Sequence, residues 1–284
     1  MITEVGGGIR NYRIGDVDVL DGFPADQMCD GARGQTLIPW PNRVADGRYT
    51  WAGATYQLAL TEPEQHNAIH GLTRWANWET LEHDVSNAHL RYRLHPQPGW
   101  PFLLRCDLHY ALEPEGLVVR TTVTNAGSEP CPVAVGAHPY LSAGGAHLDD
   151  CAARLPGATY LPTDGRGIPT GRVPVAGTPH DFQVARPLGD MRIDHTYTDL
   201  TRDAEGRAVV TLARPDGMRP YLWAGEGYPY LEIYTGDTLA ADRRRRGLGV
   251  EPMTAPPNAL QTGEDLIVLE PARSRTLVWG AGLA

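Results

Sequence analysis

Hydrophobic and polar residues alternate with a period of two over much of the chain. In "LLRCDLHYALEPEGLVVRTTVTN" the residues Leu104, Cys106, Leu108, Tyr110 and Leu112 take alternate positions. The stretch "EPEG" interrupts them, and Leu117, Val119, Thr121 and Val123 then alternate again. Side chains on a strand point to opposite faces in turn, so this pattern predicts a β-hairpin with one buried face. The same reading places a hairpin in "YTWAGATYQLAL", turning at Ala52-Gly53, and another in "WETLEHDVSNAHLRYRLH", turning at Ser86-Asn87. The C-terminal "DLIVLEPARSRTLVWG" predicts a last hairpin turning at "EPARS". No segment carries a helical period for longer than two turns. Short strands separated by turn clusters predict an all-β sandwich or barrel. "TDGRGIPTGRVPVAGTP", residues 163–179, is expected to be a long surface connection within a single domain spanning 1–284.

Composition supports this picture. The 284 residues include 32 glycines and 24 prolines, which favour tight turns and weaken helix interiors. The net charge of −9 disfavours a nucleic-acid partner and an electrostatic membrane anchor. The cysteines Cys29, Cys106, Cys131 and Cys151 form no C-x-x-C pair and are expected to be free thiols of a reducing compartment. No secretory h-region and no run long enough to span a bilayer stand out, so a cytoplasmic monomer or homodimer is expected.

Several stretches resist the strand pattern: "PWPNRVADGRY", "QHNAIHGLTRWANW", "VGAHPYLSAGG", "MRIDHTYTDL" and "GVEPMTAPPNA". They are polar, aromatic-rich and punctuated by Pro or Gly, and functional groups tend to sit on such loops. Arg43 offers a planar donor fork or a surface ion pair. His70 is a structural histidine or an active one. His66, four residues before it, raises a metal site, which the absence of an E-x-x-H core argues against. His138 stands at a strand end with Pro139 behind it. Asp194 is a turn residue or a ligand contact. Glu251 lies between a strand-like lead-in and Pro252, Pro256 and Pro257, a stiffening that suits a carboxylate held against a substrate. The run Arg243 to Arg246 reads most simply as a solvated turn. Among Trp40, Trp75, Trp78 and Trp100, most are expected in the core, with a sugar-stacking role as the alternative. No nucleotide-binding glycine motif, phosphate loop or G-x-S-x-G elbow is present.

"PWPNRVADGRY", "NAIHG", "GAHPYL", "IDHTY" and "YLEIYTGD…GVEPMTAPPNA" occur in the order seen in the aldose 1-epimerase (galactose mutarotase-like) family, which the chain resembles from about Gly34 to its C-terminus. The resemblance implies a β-supersandwich and cofactor-free, metal-free exchange of the α and β anomers of a free aldose. It places sugar contacts at Asn42, Arg43, Tyr140 and Asp194. It places His70 in the active site, a histidine acid at His138 and a glutamate base at Glu251. Here Leu72 follows Gly71, where the best-known galactose mutarotases carry a second glycine, and "AHPYLSA" departs from their Asn-His-x-Tyr-Phe-Asn; both changes touch the pocket wall. The chemistry needs a base for the C1 hydroxyl and an acid for the ring oxygen. Two alternatives stay open. One is a non-catalytic carbohydrate-binding module. The other is an epimerase for hexose 6-phosphates, with Arg48, Arg74 or the Arg243–Arg246 run gripping phosphate.

Overall fold

The computed structural model describes residues 1–284. Every strand pairing in it is antiparallel, and two large sheets dominate. One is nine-stranded and carries the longest hairpin, Leu104–Glu113 with Gly116–Asn125. The other is ten-stranded, and its centre runs Tyr140–Ser142, Gly247–Met253, Tyr230–Tyr234, Asp194–Leu200. The only α-helix is a single turn, Ala259–Thr262. Fifty-one buried hydrophobic residues form one continuous core drawn from both sheets, with Leu104, Cys106 and Leu108 from one and Leu231, Ile233, Leu248 and Val250 from the other. This is the all-β supersandwich that the family resemblance implies; the strand pattern alone left sandwich and barrel open.

Three of the four predicted hairpins form. Glu113 pairs with Gly116 across a two-residue turn. Ala52 and Gly53 adopt φ of 48° and 80°, the pair of positive values that matches a two-residue turn to strand twist. At the third, the Asp84 carboxylate accepts the backbone N–H groups of Ser86 and Asn87 at 2.7 and 2.8 Å, which fixes the reversal. The fourth does not form. Ile267–Leu269 pairs with Cys131–Val133, whereas Ser274–Leu283 lies between Gly116–Asn125 and Pro220–Ala224 in the nine-stranded sheet. Period-two alternation specifies a strand and its buried face; it does not specify the partner.

Strand register determines what faces the site. Opposed residues of neighbouring strands share a face, and so do residues two apart on one strand. Glu251 opposes Glu232, which opposes Thr196. Gly249 opposes Tyr234 on one side and Tyr140 on the other, and Tyr234 opposes Asp194. Tyr140, Glu251, Glu232, Tyr234, Asp194 and Thr196 therefore share one face of the ten-stranded sheet. Val250, Ile233, Leu231 and Leu248 point the other way, into the core.

All four cysteines are unpaired. No helix is long and apolar enough to cross a membrane.

Candidate active site

Glu251 sits within the strand Gly247–Met253, which is buried along its whole length. The sequence suggests that prolines following the strand stiffen this glutamate; in the structure Pro252 belongs to the strand itself. The N–H groups of Val250 and Thr254 bond Pro139 O and Val135 O along one edge, and Pro252 leaves a gap between them. His138 lies on that edge, between the short strands Gly136–Ala137 and Tyr140–Ser142. Its backbone is tied to another segment, N–H to Gln35 O at 3.0 Å and C=O to Gly34 N–H at 2.8 Å. Farther on, the proline-rich turn is pinned: Asn258 N–H donates to Arg43 O, and its side-chain oxygen accepts from Ala45 N–H at 3.0 Å.

His138 and Glu251 meet directly, with Nε2 to Oε1 at 3.0 Å. Both are almost fully buried. Burial lowers the His138 pKa to about 3, helped by the positive fields of Arg33 and Arg74. Burial also lifts Glu251 well above the carboxylate range, followed by repulsion from Glu232 and Asp194. Both shifts favour a pair that holds one proton between its two members at neutral pH. His138 Nδ1 and Glu251 Oε2 have no hydrogen-bond partner in the protein, so the pair has unused polar atoms.

Asn42 and His70 close one end of a two-stranded ribbon, Arg43–Ala45 with Asn67–Ile69. Both adopt left-handed backbone, φ 53° and 63°, a region in which asparagine and histidine are enriched. His70 N–H donates to Asn42 O at 3.0 Å, and Asn42 N–H donates to His70 Nδ1 at 3.2 Å. An Nδ1 that accepts requires the hydrogen on Nε2, so His70 presents a donor. Burial, then the His138 and Arg74 fields, hold its pKa far below the ordinary value and keep it neutral. Gly71, φ 69°, follows because a Cβ there would collide with Ile38 O. The His70 ring meets that of His138 edge-on, with centroids 5.2 Å apart. The Tyr140 ring stacks on that of His138, with centroids 5.0 Å apart. Its hydroxyl already donates to Gly31 O at 2.9 Å, so Tyr140 offers the pocket its ring.

The Arg43 guanidinium makes a forked contact with Glu62, Nε to Oε2 at 3.0 Å and Nη2 to Oε1 at 3.1 Å, and reaches Asp194 at 3.7 Å. Burial disfavours its charge, but the Glu62 bonds and the Asp194 field more than offset this and raise its pKa. Asp194 opens its strand rather than sitting in a turn. Glu232, behind it, accepts from the Thr196 hydroxyl. Burial, then repulsion from Asp194, push Glu232 up to about 8, so it is protonated at neutral pH.

Asn42, Arg43, His70, His138, Tyr140, Asp194 and Glu251, all named from sequence, line one cleft of about 390 Å³. Glu62 and Arg74 line it too. Nothing in "TEPEQHN" marks Glu62. Glu232 had a signal, a lone carboxylate in the apolar run "YLEIY". Of the four tryptophans, Trp40, Trp78 and Trp100 are buried, and only Trp75, 57% exposed, borders the cleft. His66 bonds Asp46 on the surface, away from the cleft. The group with metal-ligand spacing is instead His70, His138 and Glu251, whose ligand atoms lie within 4.8 Å of one another. The segment 163–179 is more than a surface connection: a Cβ on Gly167 would lie 2.5 Å from the Arg43 guanidinium, so this turn walls the arginine. Nor is Arg243–Arg246 simply solvated, since Arg245 is buried and bonds Asp149 and Asp237 at 2.6 and 3.0 Å.

The sequence profile described as Aldose 1-epimerase matches residues 1–279. The chain belongs to the aldose 1-epimerase family. That family is one of isomerases. An Escherichia coli K12 relative, uncharacterized protein YihR, is 31% identical over 277 residues, covering 97% of this chain and 87% of the relative. The aldose 1-epimerase of E. coli K12 is 27% identical over 218 residues, covering 71% of this chain and 60% of the relative. Among solved structures, a putative aldose 1-epimerase from E. coli K12 superposes with a TM-score of 0.84 at 20% identity, covering 99% of this chain and 94% of that one. A GalM/aldose epimerase homologue from Caenorhabditis elegans gives 0.87 at 15%, covering 99% and 94%. At those identities the structural matches speak to the fold.

Proposed function

We propose that the protein interconverts the α and β anomers of an aldohexose, with Glu251 and His138 as the proton-transfer pair. The observation that carries this reading is their 3.0 Å contact inside a cleft of about 390 Å³ lined by polar groups. The shifts place the pair's one proton on Glu251 at rest; its transfer across the 3.0 Å contact gives the productive tautomer, with Glu251 as carboxylate and His138 as imidazolium. Glu251 takes the C1 hydroxyl proton while His138 gives its proton to the ring oxygen, and the C1–O5 bond breaks to leave an open-chain aldehyde. The pair then stands as carboxylic acid and neutral imidazole, still with one proton in total. No proton is exchanged with solvent. Rotation about C1–C2 and the reverse transfers give the other anomer.

Neutral His70 donates from Nε2 toward the oxygen that gains charge, and Arg43, held by Glu62, donates to ring hydroxyls. Donors fixed before the reaction stabilise developing charge without reorganisation. Asp194 accepts from a hydroxyl and discriminates among sugars, since a buried polar partner left unmatched is costly.

The test is polarimetry or NMR exchange on fresh α-anomers of glucose and galactose. Glu251→Gln lowers kcat by at least about 10²-fold with the fold intact, and His138→Asn does likewise. Near-native turnover by Glu251→Gln removes Glu251 as base; loss of affinity alone in His138→Asn places the acid elsewhere. The spacing of His70, His138 and Glu251 supports a second reading, a metal-assisted site. Acid–base exchange survives EDTA and is unchanged by added Zn²⁺, whereas a metal-assisted site loses activity to the chelator and regains it with metal.

A further inference from the structure

Each charged side chain in the cleft has a partner except one. Arg43 bonds Glu62 and reaches Asp194, and Glu251 bonds His138. Arg74 lines the same cleft, and its guanidinium makes no hydrogen bond or ion pair with the protein; its Nε is buried and unpartnered. The one carboxylate whose field reaches it is Glu62, which is already occupied by Arg43. The group is nevertheless held in place. Its guanidinium lies 4.0 Å over the Trp75 ring, and its backbone carbonyl accepts from the Gln35 side chain. A guanidinium that is oriented, partly desolvated and left without an acceptor is prepared for an external one.

We propose that Arg74 binds an anionic substituent of the sugar, so that the preferred substrate is an aldose carrying an oxyanion on its exocyclic arm. The proposal rests on the epimerase reading above. A neutral hydroxyl would satisfy one N–H and leave the cation uncompensated in a partly desolvated wall; an oxyanion neutralises it and takes two N–H groups together. Position agrees. The field of Arg74 reaches both His70 and His138. In the proposed reaction His138 serves the ring oxygen. The exocyclic arm leaves the ring carbon next to that oxygen, so it projects toward the same wall. The other arginines considered for such a role are excluded by place: Arg48 and the Arg243–Arg246 run do not line the cleft. Phosphate, sulfate and carboxylate share the chemistry that Arg74 recognises.

The test compares anomer exchange of glucose, glucose 6-phosphate, glucose 6-sulfate and glucuronate by the wild-type protein at low salt. At least one anionic sugar should show kcat/KM at least 10-fold above glucose, and the arm that wins identifies the oxyanion. In Arg74→Gln the ratio of anionic to neutral kcat/KM should fall roughly 10- to 100-fold, mostly through KM. Arg74→Lys, which keeps the charge and loses the fork, should fall between the two. If glucose is exchanged at least as well as every anionic analogue, the proposal is wrong and the acid–base reading stands. The proposal also fails if Arg74→Gln lowers neutral and anionic sugars equally, because Arg74 then acts only through the field it places on the two histidines. Absence of exchange with all four sugars overturns the epimerase reading and this inference with it.

Discussion

A free imidazole titrates near 6.5, but His138 is held to about 3 and Glu251 is lifted in the opposite direction. Between those values the pair keeps one proton, the count that the proposed reaction uses. The kcat/KM profile should therefore be flat from about pH 5 to 7, with no step at the histidine value. A limb near pH 6.5 would mean that His138 exchanges its proton with solvent. Glu232, in the same cluster of carboxylates, is held at about 8. Its ionisation places a negative charge directly across the strand pair from Glu251, which favours the protonated acid and depletes the base. Activity should decline as pH rises through about 8, and Glu232→Gln should remove that decline while keeping the neutral-pH rate. The seven residues named from sequence meet in the cleft because each stands in a fragment whose local composition sets it apart from the strands. The partners of those residues were hidden. Glu62 meets Arg43 only through a contact of 19 residues' separation, and Glu232 reads as part of an ordinary strand until register sets it opposite Glu251.

At the scale of elements, the site is a sheet face closed by loops. The sheet supplies Glu251, Asp194 and Glu232 in fixed register, and the ribbon Arg43–Ala45 with Asn67–Ile69 supplies Asn42, Arg43 and His70 from its end. The turn around Gly167 completes the wall. Arg166 anchors it by donating to Gln65 O at 2.9 Å and to Asp46 at 3.0 Å. Gly167→Ala adds a methyl group against the Arg43 guanidinium at a backbone of φ 75°. The arginine must shift off Glu62, and kcat/KM should fall roughly 10- to 100-fold, mainly through KM. An unchanged KM would show that the turn yields and the arginine does not depend on it. The same scale shows where sequence reading stops. Three hairpins were legible because their turn residues are local, as with Asp84 or the pair Ala52-Gly53. The fourth failed because Ile267–Leu269 and Ser274–Leu283 find partners far away in sequence.

For the whole molecule, the basic run near residue 245 acts as a clasp. Arg245 bonds Asp149, Asp237, Gly189 O and Met191 O, joining three separate segments beside the ten-stranded sheet. Arg245→Ala leaves partly buried carbonyls and carboxylates without their donor and should cost about 2 kcal/mol or more by urea denaturation. A loss under about 1 kcal/mol would assign these bonds the weight of a surface pair. Neighbouring Arg246 is exposed, and Arg246→Ala serves as the control.

The sequence by itself determined that the chain is built of strands, where most of its hairpins turn, which loops line the cleft and which family it resembles. These are local properties: alternation, turn residues and short ordered motifs depend on near neighbours along the chain. Tertiary structure alone decided that Glu251 and His138 touch, that Glu232 is held protonated across from them, that Gly167 walls Arg43, and that Arg74 is left without an acceptor. Each depends on register and burial between segments far apart in sequence. Desolvation and Coulomb fields act through space, so the protonation of a carboxylate or the vacancy of a guanidinium is fixed only once its neighbours have arrived.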